Sequence, residues 1–368
     1  MQTNNVKKIH DLEQSIWLDF IDRKIIHSGQ LQKLIDEDGI RGVTSNPAIF
    51  EKAISSGTDY DEDIKKFAEA GESNEDIFFK LAGADIQYAA DLFKPLYLEG
   101  DVKGADGYVS LEVSPRLARD TEGTIQQARE LWKAVGRENV MIKIPGTVEG
   151  LPAVRKCISE AIHINVTLLF GLEQYRAVTD AYISGLEDRL NANLPVNDIA
   201  SVASFFLSRI DVLIDPMLDE KGLGQLKGKT AIACAKAAYA IYKEVFSSER
   251  FKKLQEKGAK PQRLLWASTG SKNPAFKDTM YVEELIGPKT VNTIPMETLD
   301  AFRDHGDAKA RLEENMEQAN NILLQVKAAG INLDAIAQKL EVEGIEKFNQ
   351  PYNKLMEAIE KQRQAMQV

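Results

Sequence analysis

Six stretches of the chain each carry a polar residue in otherwise apolar company, and together the residue types suit carbonyl chemistry. Lys143 stands among Met141, Ile142, Ile144 and Pro145. Lysine is rarely buried without a partner, so two readings are open: a strand-end lysine paired with Asp19 or Glu112, or an amine that attacks a ketone. Attack requires the neutral amine, and a lysine of ordinary pKa is neutral to roughly one part in a few thousand at pH 7. The nucleophile reading therefore demands a desolvated surrounding. Asp19 and Glu112 are carboxylates far apart in the chain, suited either to two separate proton transfers or to balancing the charge of Lys143. Asn46, Asn165, Thr167 and Ser204 add neutral hydrogen-bonding groups. Arg209 offers a planar fork for a phosphate or a surface ion pair, and Lys272 lies in the small-residue stretch ASTGSKNP.

These residues need elements to hold them, and the sequence supplies eight short runs of strand character: 15–20, 39–46, 107–113, 139–145, 163–169, 199–206, 263–269 and 290–295. Most are followed by segments with helical spacing. After the third, Ile125, Ala128, Leu131, Trp132 and Val135 share a face; after the sixth, Cys234, Ala237, Ala238, Ile241 and Val245 do. Strands separated by helices pair in parallel, and eight such units predict a closed (β/α)8 TIM barrel, of class α/β. In such a barrel, catalytic groups come from the C-terminal ends of several strands, where the polar residues fall. Asn165 and Thr167 are two apart and share a strand face, as do Met141 and Lys143.

A barrel takes about 250 residues, whereas the chain has 368. The sequence reads as one barrel domain over 1–368 with a helical insertion at 47–106 and C-terminal helices over 296–368. In that tail Leu312, Met316, Ala319, Leu323 and Val326 form a stripe, better suited to packing on the barrel than to a coiled coil because it spans too few heptads.

A formal net charge of −10 argues against nucleic acid as a partner, leaving room for a local basic pocket that takes an anionic metabolite. No stretch reads as a membrane span or a secretory leader, which points to a cytoplasmic protein. His10, His27, His163 and His305 are too scattered for a metal pair, and no metal or cofactor is expected. His163 reads as a hydrogen-bonded packing residue. Cys157 and Cys234 read as buried packing residues. Asp59, Asp61 and Asp63 lack the glycine and final glutamate of a calcium loop and read as a helix start. GLG at 222–224 has no third glycine, so no dinucleotide fingerprint is present.

Five segments, in order, resemble one family. GVTSNPAIFEKAI (42–54), YVSLEVSPRLA (108–118), NVMIKIPGTVEG (139–150), INVTLLF (164–170) and SFFLSRID (204–211) are similar to the motifs of transaldolases. The resemblance covers essentially the whole chain. It implies transfer of a dihydroxyacetone unit between sedoheptulose 7-phosphate and glyceraldehyde 3-phosphate in the non-oxidative pentose phosphate pathway, giving erythrose 4-phosphate and fructose 6-phosphate. It also implies roles: Lys143 forms the Schiff base, and Asp19 moves the proton of the hydroxyl on the bond being cleaved. Glu112 would shuttle protons through a water also held by Thr167. Asn46 and Asn165 would bind the dihydroxyacetone hydroxyls, Ser204 and Phe206 line the pocket, and Arg209 grip phosphate.

One departure stands out. Shorter relatives carry an arginine soon after the seventh-strand serine, whereas here TGSKNP follows Ser268, which makes Lys272 the substitute phosphate ligand. The resemblance extends to fructose 6-phosphate aldolases, which release free dihydroxyacetone and in which glutamine and tyrosine replace the residues matching Glu112 and Phe206. Both residues here favour transfer. A catalytically silent sugar-phosphate sensor would not need Lys143, Glu112 and Asp19 together. The expected partners are phosphorylated sugars, and the assembly a monomer or homodimer.

Overall fold

A computed structural model describes residues 4–99 and 103–365. Eight strands form a closed parallel barrel in chain order: β1 (Gln14–Leu18), β2 (Gly42–Val43), β3 (Tyr108–Glu112), β4 (Val140–Pro145), β5 (Ile164–Leu169), β6 (Ser201–Phe206), β7 (Arg263–Ala267) and β8 (Thr290–Ile294). β8 closes on β1 from Gln14 opposite Thr290 to Leu18 opposite Ile294. The α/β barrel read from the sequence is the fold observed. Apart from half-exposed Arg263, every strand residue is buried. Interior side chains fill the barrel while helices cover its outside, which is why the runs read as continuous apolar stretches rather than as alternation.

β2 is far shorter than the 39–46 run. Gly42 explains its path: a Cβ there would sit 2.7 Å from the Trp17 ring and from the Tyr108 carbonyl, so only glycine lets the chain pass between them. The chain then leaves the ladder, because Asn46 caps the next helix. Its side chain accepts from the Ile49 amide, and Pro47 takes the first helical position.

The predicted helix faces are largely buried. Ile125, Ala128, Leu131 and Val135 are buried and Trp132 partly so. In Thr230–Phe246, Cys234, Ala238 and Ile241 are buried, but Ala237 and Val245 are only partly covered, and the buried face extends to Ala235, Tyr239 and Tyr242. A short helix, Asn5–Asp11, also precedes β1 and buries Val6 and Ile9.

The segment between β2 and β3 holds three helices, Pro47–Ser55, Asp61–Glu69 and Asn74–Leu98. The last packs on β3 as the ordinary crossover helix does, so the additional material is the first two. Asp61 and Asp63 lie in the first turn of the second, with Asp63 paired to Arg23 at 2.7 Å. After β8, Met296–His305 completes the barrel. Met316–Ala328 packs along Thr230–Phe246 and buries Ala319, Ile322 and Val326. Of the stripe read from the sequence, Leu312, Ala319 and Val326 are buried and Met316 and Leu323 only partly, while Ile322 lies outside it. The final helix, Leu333–Ala365, is 33 residues, about 50 Å long, and passes over the C-terminal ends of the strands. No helix among the described residues is long and apolar enough to cross a membrane.

Candidate active site

Lys143 sits near the end of β4, with Glu112 of β3 opposite it on one side and Asn165 of β5 on the other. Parallel pairing thus sets three of the sequence-selected residues side by side. Lys143 Nζ donates to the Ser45 carbonyl at 2.9 Å and lies 3.2 Å from Glu112 Oε2. Both side chains are buried, at 6% and 4% exposure. The Lys143–Glu112 contact is ionic without hydrogen-bond alignment, so neither carboxylate oxygen of Glu112 has a hydrogen-bonding protein partner. Thr167 Oγ1 is likewise buried and unpartnered.

Asp19 lies one residue beyond β1, its amide bonded to the Ile294 carbonyl. Its Oδ1 accepts from Thr44 Oγ1 at 2.8 Å, and Thr44 Oγ1 lies 2.6 Å from Thr293 Oγ1. A hydroxyl has one proton, so while Asp19 is ionised the chain runs from Thr293 to Thr44 to Asp19. Burial raises the pKa of both carboxyls, with the positive charge of Lys143 pulling each back, and the Thr44 hydroxyl further lowering that of Asp19. Raised carboxyls exchange protons more readily near neutral pH.

A cavity of about 540 Å³ opens above these groups. Asp19, Asn46, Lys143, Thr167, Ser204, Phe206, Arg209, Ser268 and Lys272 all border it. Glu112 and Asn165 do not: Glu112 is reached through its contact with Lys143. Asn165 is fully buried, its amide donating to Ser110 Oγ at 3.2 Å and its Oδ1 accepting from Ser204 Oγ at 2.7 Å. Asn46 spends its oxygen on the helix cap, which leaves its amide protons for the cavity.

Two backbone irregularities shape this rim. β5 carries a bulge between Val166 and Leu169 with Leu168 in the left-handed region at φ 62°, an unfavourable setting for a branched side chain. Bulges beside sites re-aim side chains, and this one contains Thr167. Ser268 is also left-handed, at φ 55°, and its Oγ lies 2.8 Å from that of Ser208. Arg209, in the first turn of Ser208–Glu220, places its guanidinium 5.3 Å from the Phe206 ring centre, and its Nη1 is buried without a partner.

Sequence reasoning did not select Thr44, Ser45 or Thr293. Thr44 and Ser45 lie inside the 42–54 segment immediately before Asn46, so their position at a strand end was the available signal. Nor did it select Leu340, Glu343, Lys347 and Phe348 of the final helix, which also border the cavity. His163 is a packing residue in the structure: its Nδ1 accepts from the Ala200 amide, and burial lowers its pKa to about 4. Among the described residues no group of three or more His, Cys, Asp or Glu is arranged to hold a metal ion.

Set beside known proteins, residues 16–359 match the family described as transaldolase/fructose-6-phosphate aldolase. The chain is 51% identical to a protein of Trichodesmium erythraeum named transaldolase, with 98% of each covered. It is 48% identical to one of that name from Saccharopolyspora erythraea, covering 98% of this chain and 99% of that one. A Thermobifida fusca transaldolase is 46% identical, with 97% of this chain and 98% of the relative covered.

Proposed function

The chain belongs to the transaldolase/fructose-6-phosphate aldolase family, and on that premise we propose that its barrel mouth moves a dihydroxyacetone unit between phosphorylated sugars through an imine on Lys143. The observation that carries this reading is the buried contact of Lys143 with Glu112, with Asp19 bordering the same cavity. In water a lysine–glutamate pair holds both charges. Without solvent the charged pair loses much of its advantage over the neutral one, and burial already raises the Glu112 pKa. Glu112 is therefore a local acceptor for the proton Lys143 must lose before it attacks.

Attack of the Lys143 amine on the ketone carbon gives a carbinolamine. Loss of water from it needs one proton delivered to the leaving hydroxyl and one removed from nitrogen. Glu112 stands at the nitrogen, and the unpartnered Thr167 Oγ1 can hold the water that relays between them. The imine then draws electrons from the adjacent carbon–carbon bond, while Asp19 takes the proton of the hydroxyl on that bond. An aldehyde leaves and an enamine stays on Lys143. A second aldose reverses the steps, with Asp19 returning the proton.

Arg209 is the primary phosphate ligand in this reading, since it borders the cavity, its Nη1 has no protein partner and the Phe206 ring lies beside its guanidinium. Lys272 and Lys347 border the same cavity and supply further positive charge. Ser204 acts chiefly by orienting Asn165, and the Asn46 amide is free to donate to a substrate hydroxyl. The substrates are sedoheptulose 7-phosphate with glyceraldehyde 3-phosphate, and erythrose 4-phosphate with fructose 6-phosphate in reverse.

Incubation with fructose 6-phosphate and erythrose 4-phosphate tests the activity. Sedoheptulose 7-phosphate should form with little free dihydroxyacetone. Free dihydroxyacetone as the main three-carbon product would instead assign the chain to the aldolase activity of its family.

A further inference from the structure

The final helix supplies no group to the covalent steps described above beyond the charge of Lys347 at the cavity edge, yet it forms one wall of the same cavity. Gly344 lets it come close: a Cβ there would meet Leu168 Cδ2 at 3.0 Å and Arg209 Nη1 at 3.5 Å. One turn later Phe348 reaches inward. Its ring centre lies 5.9 Å from Lys143 Nζ and 5.9 Å from the Arg209 guanidinium carbon, and the residue is 6% exposed.

The helix is fastened on both sides of this ring. Glu341 pairs with Arg119 at 2.8 Å and accepts from Gln174 Nε2 at 3.0 Å. Beyond the ring, the Tyr352 hydroxyl bonds Glu75 and its ring meets Phe78 edge-on at 5.7 Å. Phe348 is therefore a fixed roof over the amine, made of a group that can neither carry a proton nor hold water.

That position matters most for the enamine, which has two fates. Transfer joins its nucleophilic carbon to an aldehyde. Release begins when that carbon takes a proton, giving the iminium. One water then adds to the iminium carbon and the carbon–nitrogen bond breaks, returning dihydroxyacetone and the free Lys143 amine. The overall change is addition of one water, with no change of oxidation state.

We propose that Phe348 is a specificity-determining residue that sets the partition of the lysine-bound three-carbon unit between transfer to an aldose and release to water. The proposal rests on the imine reading of Lys143.

The test measures sedoheptulose 7-phosphate and free dihydroxyacetone in the same reaction from fructose 6-phosphate and erythrose 4-phosphate. Phe348→Ala should raise the ratio of release to transfer roughly tenfold or more, one decade corresponding to about 1.4 kcal/mol of lost barrier. Phe348→Leu, which keeps most of the bulk, should raise it less. Gly344→Val, whose branched side chain would press on Leu168 and lift the helix, should raise it too.

Only active molecules contribute to this ratio, so partial unfolding leaves it unchanged, as a merely structural role would. An unchanged ratio in the alanine and leucine variants overturns the proposal. So does loss of all turnover in the leucine variant while borohydride still traps its Lys143. Absence of trapping in the unaltered enzyme would instead remove the imine reading itself.

Discussion

Replacing Thr44 with valine keeps the side-chain shape and removes one hydroxyl, which makes it a selective probe of Asp19. In the structure that hydroxyl donates a hydrogen bond to Asp19 Oδ1 at 2.8 Å and, while Asp19 is ionised, accepts one from Thr293. A hydrogen bond to a charged group contributes about 1.5–3 kcal/mol, which corresponds to roughly ten- to a hundredfold in rate if the ionised Asp19 is the base. The sign follows from the half-buried setting of the carboxyl at the cavity edge. Burial raises its pKa and the Thr44 hydroxyl lowers it, so Thr44→Val moves it further up. The acid limb of the kcat/KM profile should shift to higher pH, with the loss largest at low pH and shrinking as pH rises. The assay is transfer from fructose 6-phosphate to erythrose 4-phosphate across pH, with borohydride trapping alongside, since imine formation does not use Asp19. A uniform fall in rate with an unshifted limb would refute the reasoning, because it would mean that Thr44 only supports the fold.

Other consequences can be checked separately. Arg209→Lys keeps a charge but loses the fork, so KM for a phosphorylated acceptor should rise about ten- to a hundredfold, while a non-phosphorylated aldose is used as before; equal loss on both would exclude a phosphate-specific role. Burial raises the Asp211 pKa to about 7 although Tyr281 Oη and the Ala231 amide both donate to it. A carboxyl with a raised folded pKa stabilises below its unfolded pKa near 3.8, and that contribution is lost as pH rises through about 7. Asp211→Asn should flatten this slope in thermal melts between those pH values, and an unchanged slope would count against it. Cys157 and Cys234 are buried with thiols pushed up to about 12, so alkylation of the folded protein at pH 8 should be negligible until denaturant is added.

The barrel was legible because each strand is short, apolar and followed by a helix, and the closed parallel order then follows from chain order. Strand ends were legible for the same reason: a polar residue closing an apolar run, as with Lys143 or Glu112, stands out. Asn165 shows the limit of that logic. Its place on the strand matched, but Ser110 and Ser204 take up its amide below the cavity wall, and such cross-strand pairing depends on barrel stagger that one sequence does not display. Thr44 went unselected because a threonine in a loop beside an asparagine cap has many uses, and only the approach of β8 gives it Thr293 as a partner. Phe348 was the hardest to see. It lies in a charged tail with no motif, and Leu340, Gly344 and Phe348 at four-residue spacing mark a face without saying what it covers.

The claim that everything else depends on is the covalent role of Lys143. Borohydride added with fructose 6-phosphate should reduce the imine and fix a three-carbon adduct, and peptide mass spectrometry should locate it on Lys143, with none formed in Lys143→Met. An adduct on another lysine, or transfer activity surviving in Lys143→Met, would contradict the account.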